Sequence, residues 1–138
     1  MDILGFERVI FLSADRQEKV LRPALWAGTG ADQLAGNLTL PLTRDTGAVA
    51  ICLLEHRAIH VPLANSEAYG GLAGEQVLEA ARCTGFAVAP VNTPAGVAGV
   101  LYADGGFQGA DVEAEQAQEM NGLAQQMGLV LATACLST

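Results

Sequence analysis

The sequence has few basic residues. Lys and Arg account for 7 of its 138 residues, against 15 Asp and Glu, so the formal net charge is −8. The last basic residue is Arg82, and the segment after it carries acidic charges alone. Such a chain repels the phosphate backbone of nucleic acids and anionic lipid at long range. We therefore expect no nucleic-acid partner.

Long uninterrupted apolar segments are also missing, although hydrophobic residues make up 51% of the chain. The charge-free stretch 120–138 contains Asn121, Gln125 and Gln126, which interrupt the roughly 20 apolar residues that a membrane-spanning helix needs. The start, Met1 to Leu4, has no basic segment ahead of an apolar block, as a secretory signal would. The sequence thus predicts no membrane partner and a cytoplasmic location.

Cysteine is scarce. Cys52, Cys83 and Cys135 lie far apart without a Cys-x-x-Cys spacing, and their odd number argues against a disulfide framework. Isolated thiols among apolar neighbours usually act as small hydrophobic side chains. The alternative is a reactive Cys83 at the end of a predicted helix, which would need a lowered pKa.

One spacing is typical of metal ligands. Cys52, His56 and His60 recur every four residues, which would align them as zinc ligands on one continuous helix. Pro62 and the β-branched neighbours of His60 favour a strand at that point instead. The pattern therefore predicts no metal site, and it leaves the cofactor unknown.

A chain of this length suits one domain. Hydrophobic runs and turn residues divide it into strands and helices. Pro23 lies inside the second strand and predicts an edge position, because proline cannot donate to a strand ladder. Thr46 or Asp45 is the predicted N-cap of the first helix, and Gly85 is the predicted left-handed residue after the second. The predicted strands are Arg8–Leu12, Val20–Ala27, Ala58–Val61, Phe86–Val91 and Val97–Ala103, with Leu38–Leu42 as a short extended segment, and the predicted helices are Ala48–His56, Gly74–Cys83 and Asp111–Ser137.

The last two strands and the last helix define the fold class. Phe86–Val91 and Val97–Ala103 are apolar on both faces, which is typical of central strands covered by helices on each side. The last helix has one apolar stripe, which we expect to pack on the sheet. Strands joined mainly as hairpins predict an antiparallel α+β domain rather than βαβ repeats.

These elements together resemble a GAF domain. The hairpin Phe86 to Asp104, with Pro90-Val91, Gly96 and Gly99, is followed by a helix that starts with acidic residues, as in the second half of that family. Two opening strands, with Gly28 after the second, agree with its first half. The segment Leu101-Tyr102-Ala103-Asp104 is similar to GAF-like domains found beside HDOD modules in bacterial signalling proteins. The resemblance implies a central antiparallel sheet flanked by helices on both faces.

The resemblance also implies sites. GAF domains bind small molecules between the sheet and the intervening helices and loops, and their outer helices often form a dimer. Transferred to this sequence, the ligand pocket consists of Trp26, Cys52, His60, Tyr69, Val88 and Tyr102. The corresponding packing helix, which would also form the homodimer, uses Val112, Met120, Leu123, Met127 and Val130.

We therefore expect a non-catalytic regulatory domain of bacterial signal transduction that binds a small ligand, dimerises, or does both. A GAF domain usually has a further helix before its first strand, whereas only Met1 to Gly5 precede it here. Either a partner covers the face that this helix would occupy, or, as we expect, residues 1–138 are one domain of a longer protein with an attached output domain. One alternative is a thiol-dependent enzyme like the GAF-fold methionine sulfoxide reductases, although their paired-cysteine motif is missing around Ala58 to Gly74. Another is a ligand-free scaffold whose pocket is filled by leucine side chains and Tyr69.

Overall fold

A computed structural model describes residues 6–43, 46–61, 74–83, 85–94, 96–105 and 114–137. Six strands form one antiparallel sheet in the order β3-β2-β1-β6-β5-β4. The strands are β1 (Arg8–Asp15), β2 (Val20–Gly28), β3 (Leu40–Pro41), β4 (Ile59–Val61), β5 (Phe86–Thr93) and β6 (Gly96–Asp104). The helices are α1 (Ala31–Ala35), α2 (Ala48–Glu55), α3 (Glu75–Ala81) and α4 (Ala114–Ser137).

The prediction that the last two strands are central is confirmed. β6 lies between β1 and β5 in the middle of the sheet. Side chains along these strands alternate between two buried clusters: Val88 and Tyr102 enter one, and Ala87 and Leu101 enter the other. Because successive side chains of a strand point to opposite faces, each face needs its own cover.

Three helices cover the first face, which we call the inner face. Leu34 of α1, Val49 and Cys52 of α2, and Val77 of α3 are buried against Ile10 and its neighbours there. α2 is apolar on almost all sides, as expected of a helix enclosed by the sheet and the surrounding chain. The inner face therefore carries the larger of the two cores.

The helix α4 covers the second face, which we call the outer face. Met120 and Ala124 are buried against β5 and β6, and Leu123 and Met127 pack partly buried beside them. This confirms the predicted packing of the last helix on the sheet. Gly128 lets the helix approach closely, because a Cβ at that position would lie 1.9 Å from the carbonyl oxygen of Asn92 in β5.

The edge position of Pro23 is confirmed. β3 pairs with Val20 and Leu21 of β2, so within the described residues the remainder of that strand has no neighbour on its outer side. A bulge lies at the same place, since Phe11 pairs with Leu25 and Leu12 with Pro23. Proline and bulges are two common ways in which an edge is protected from further pairing.

Two local predictions are wrong, and one helix was not predicted. Gly47 occupies the N-cap of α2 without a side-chain bond, because the Thr46 hydroxyl donates to the carbonyl oxygen of Pro41 instead (2.6 Å); Asp45 lies outside the described residues. Arg82, with φ 48°, adopts the left-handed conformation after α3 that was expected of Gly85. The five-residue helix α1 is too short to show a periodic pattern in the sequence.

Among the helices within the described ranges, none combines the length and the apolar character that are needed to cross a lipid bilayer.

Candidate functional site

Three of the predicted pocket residues lie together. Cys52, Val88 and Tyr102 all belong to the inner-face core, and Val88 pairs directly with Tyr102 across β5 and β6. All three are fully buried. None of the three side chains is open to bulk solvent, but Val88 lines a cavity beside α4 together with His60.

The other three pocket residues are placed differently. Trp26 pairs with Ile10 and so lies on the inner face, but at the edge of the sheet, where it is 49% exposed. His60 pairs with Ala87, whose side chain lies in the outer-face core, and His60 lines a cavity of about 250 Å³ beside α4. Tyr69 lies outside the described residues. The six-residue pocket thus stays a prediction.

The residues predicted for the packing helix lie as follows. Met120, Leu123 and Met127 face the sheet, as described above. Val112 lies outside the described residues, and so does the side chain of Val130. Among the side chains of this helix that the structure describes, Leu129 is a large apolar one that is exposed, with 71% of its surface accessible.

A buried polar network crosses the inner face at one end of the sheet. Arg8 and Asp104 pair in the β1–β6 register, and the Arg8 guanidinium binds the carboxylate through two bonds, Nε to Oδ1 and Nη2 to Oδ2, both 2.8 Å. Nη2 also donates to the carbonyl oxygen of Ala81 (2.7 Å), at the end of α3. Arg8 is 4% exposed and Asp104 is fully buried. One ion pair thus joins the first strand, the last strand and a helix.

Tyr102 and Cys83 extend this network. The Tyr102 hydroxyl donates to Oδ2 of Asp104 (2.5 Å), two residues along the same face of β6, and Sγ of Cys83 lies 3.6 Å from that hydroxyl. The Tyr102 ring packs against Phe86 with a centroid separation of 5.3 Å. Sequence reasoning found Tyr102 but assigned no role to Arg8 or Asp104. The sequence did contain a signal for this network, because Asp104 is an acidic residue at the end of an otherwise apolar central strand.

The protonation states in the network follow from burial and from the charge of Asp104. Burial raises the pKa of the Tyr102 hydroxyl, and the nearby carboxylate raises it further. The same two causes raise the pKa of Cys83 to about 11. Burial would lower the pKa of Arg8, but its hydrogen bonds and ion pair with Asp104 outweigh this and raise it. At neutral pH the network therefore contains one ion pair, a neutral phenol and a neutral thiol.

The second described thiol is also protonated. Cys52 is fully buried in the inner-face core, and burial raises its pKa to about 12 although Arg57 lowers it slightly. A nucleophilic or metal-binding cysteine needs the thiolate. Cys52 and His60 lie on opposite faces of the sheet, and within the described ranges no three His, Cys, Asp or Glu side chains come together as metal ligands.

A cleft of about 600 Å³ lies beside the polar network. It opens between the start of β1, the short helix α1 and the end of α3, where Gly30 with φ 80° leads into α1. Its walls are divided about equally between polar and apolar surface, and they include two arginines and one carboxylate. The lining residues are Glu7, Arg8, Thr29, Gly30, Gln33, Leu34, Asn37, Ala80, Arg82 and Gly105. No residue of this cleft was in the predicted pocket.

No protein-family model matches the sequence. No curated protein matches it either. Solved structures do match the fold. One is a methyl-accepting chemotaxis protein, residues 122 to 287, at 21% identity and a TM-score of 0.75, covering 99% of this chain and 84% of that one.

Two further structures have the same fold. The second GAF domain of DevS from Mycobacterium smegmatis shows 17% identity and a TM-score of 0.72, with coverage of 96% of this chain and 85% of that one. A type II free methionine-R-sulfoxide reductase from Thermoplasma acidophilum shows 15% identity and a TM-score of 0.65, with coverage of 90% and 77%. Both the α+β architecture and the arrangement of strands agree with these neighbours. The chain therefore has a GAF-like fold.

Proposed function

We propose that this chain is a non-catalytic regulatory domain that binds a small ligand and passes the signal on through α4. The observation that carries the proposal is the position of that helix. It crosses β5 as far as the close contact between Gly128 and Asn92 and then continues to Ser137. Nine further residues extend the helix by about 14 Å beyond this contact.

A helix in this position can act as a lever. A change in the packing of the sheet moves the contact at Gly128, and the helical extension carries that movement away from the sheet. Ligand binding that favours one of two packings would shift their populations and so reposition whatever follows Ser137. The proposal includes an output domain there, in a longer cytoplasmic signalling protein of bacterial type, with HDOD modules as one candidate.

Homodimerisation through the outer face is the second part of the proposal. Leu25 pairs with Phe11 and so lies on the outer face, where it is 61% exposed, and Leu129 of α4 is 71% exposed. Both are large apolar side chains that a partner surface would bury. A second copy of the chain would supply such a surface symmetrically.

Native mass spectrometry of the freshly purified protein tests ligand binding and subunit number together. We expect a dimer, and a mass above that of the chain if a ligand is retained. Light scattering then compares Leu129→Glu with the matched variant Gln126→Glu, which adds the same charge at another exposed position of α4. Dissociation by Leu129→Glu alone supports the dimer, whereas a monomer in the unmodified protein refutes it.

A thiol enzyme is the alternative, because a reductase shares the fold. The burial and raised pKa values of Cys52 and Cys83 disfavour it. Iodoacetamide labelling in a Cys135→Ser background discriminates between the two functions. We expect slow alkylation of both thiols from pH 6 to 8 in the folded protein and rapid alkylation in urea. Fast labelling of either thiol in the folded state at pH 7 would favour the enzyme.

A further inference from the structure

The cleft beside the polar network contains an arginine whose bonding is incomplete. Nε and Nη2 of Arg8 are used by Asp104 and Ala81, but Nη1 has no acceptor among the described residues. Every fully buried polar side-chain atom in the described part of the chain has a hydrogen-bond partner. Because Nη1 has none, it must be accessible to solvent. The small accessible surface of this residue, 4%, therefore opens to the cleft that it lines.

A second cation lies at the same cleft. Arg82 is exposed, lines the opening, and has no carboxylate partner within the described residues. Glu7 is the one carboxylate among the lining residues. Asp104 already neutralises Arg8 on its buried side, and Arg82 forms no ion pair with Glu7 or another described carboxylate, so its guanidinium donors are available to an anion. The chain has only 7 basic residues and a net charge of −8, so two arginines at one cleft are a local concentration of positive charge.

We propose that this cleft binds a small organic anion, a carboxylate or a phosphate ester, whose charged group lies between the Arg8 and Arg82 guanidiniums. Guanidinium groups present N–H donors in a planar arrangement that suits both kinds of anion. The hydroxyl and amide groups of Thr29, Gln33 and Asn37 line the same space and suit further polar groups of the ligand. The volume of about 600 Å³ is that of a metabolite-sized site.

This inference rests on the proposed function for its biological meaning, and it gives that function a place and a ligand class. The position differs from the predicted pocket, where Cys52, Val88 and Tyr102 pack together. A ligand here would contact both the start of β1 and the end of α3. It would act on the two elements that the bond from Arg8 to the carbonyl oxygen of Ala81 already connects.

The test is a titration of the ¹⁵N-labelled protein, followed by amide chemical shifts, with inorganic phosphate and separately with succinate at constant ionic strength. Sodium chloride is the reference. We expect saturable shifts at the amides of Thr29, Gly30, Gln33 and Arg82 with one dissociation constant. Saturation by phosphate alone assigns a phosphate ester, and saturation by succinate alone assigns a carboxylate.

Two variants distinguish a site from general attraction of anions. Arg82→Asn removes the exposed charge, and asparagine tolerates the left-handed backbone at this position. Arg22→Asn removes another exposed arginine, one that pairs with Asp15 (3.7 Å) and lies about 20 Å along β2 from Gly28. Loss of a charge-assisted hydrogen bond should weaken binding about tenfold in Arg82→Asn, and Arg22→Asn should bind as the unmodified protein does.

The inference is overturned if neither anion gives saturable shifts, if chloride produces the same shifts, or if both variants weaken binding equally. Each of these results leaves the native mass spectrum and the light scattering as independent tests of the proposed function. Conversely, a monomer without a co-purified ligand would leave a saturable anion site in place. The two proposals can therefore fail separately.

Discussion

The close approach of α4 to the sheet leads to opposite predictions for two glycines of the same helix. A Cβ added at Gly122 would meet nothing within 4 Å, whereas one added at Gly128 would lie 1.9 Å from the carbonyl oxygen of Asn92. Replacing glycine by alanine in an exposed helix interior stabilises it by about 1 kcal/mol, because alanine loses less backbone entropy. Gly122→Ala should gain this amount in full.

The same gain at Gly128 is opposed by a steric cost. Ordinary van der Waals contact begins at 3.4 Å, so the helix and β5 would have to separate by about 1.5 Å, the difference between 3.4 and 1.9 Å. The contact atom is backbone in the middle of a hairpin and cannot rotate away. Overpacking of this kind costs about 1 to 3 kcal/mol, and separation also loosens the contacts of Met120 and Ala124 with the sheet.

We therefore expect Gly122→Ala to raise the free energy of unfolding by about 1 kcal/mol, whereas Gly128→Ala gives no gain and lowers it by up to about 2 kcal/mol. Urea unfolding followed by circular dichroism measures both, and an unchanged denaturant slope shows that the comparison is of folded-state stability. If Gly128→Ala is as stabilising as Gly122→Ala, α4 does not contact β5 as described, and the lever mechanism loses its contact point.

The buried polar network and the buried thiols lead to three further predictions. Asp104→Ala leaves Arg8 buried without its anion and should lower the free energy of unfolding in urea by about 3 to 5 kcal/mol. The control Glu55→Ala breaks an exposed ion pair and should lower it by less than about 1 kcal/mol. Equal losses would contradict the burial of the network. Replacing Arg8 by Met together with Asp104 by Leu should recover most of the lost stability. The pKa values of Cys52 and Cys83 are raised from 9.0 to about 12 and about 11. The stability that the protonated thiols contribute is therefore fully present below pH 9, and it is lost as the pH rises toward these folded-state pKa values. The free energy of unfolding should fall by up to about 1.4 kcal/mol per pH unit for each thiol, and a Cys83→Ala variant should show a shallower decline between pH 9 and 11.

The sequence was sufficient for most of the fold because hydrophobic patterning reports which faces are covered. The runs at 86–91 and 97–103, which are apolar on both faces, required cover on both sides, and helices cover both faces in the structure. The local errors have a different origin. Thr46 had an acceptor at Pro41 that is formed by tertiary structure, and Arg82 takes a left-handed conformation because α3 ends earlier than the glycine in the sequence suggested.

The candidate site was harder to predict than the fold. The family resemblance placed the ligand among residues that include Cys52, Val88 and Tyr102, which are fully buried in one core, and that pocket stays a prediction. The cleft is formed by residues that are far apart in the sequence, with Arg8 and Arg82 belonging to opposite halves of the chain. Neither residue stands in a motif. Their proximity depends on the β1–β6 register and on where α3 ends, and no local pattern encodes either of these.

The Arg8–Asp104 pair itself bears on whether the cleft has a function. Removing two charges from water costs several kcal/mol per ion, and well-packed apolar residues in their place are often neutral or stabilising. A gain in stability alone therefore does not explain why an ion pair occupies this point of the core. Arg8 differs from an ordinary buried partner because Nη1 is left over on the side of the cleft, while Asp104 and Ala81 fix the other donors. A guanidinium held in this way loses little rotamer entropy when it binds an anion. The buried bonds thus orient the arginine, and the cleft provides a physical reason for its position.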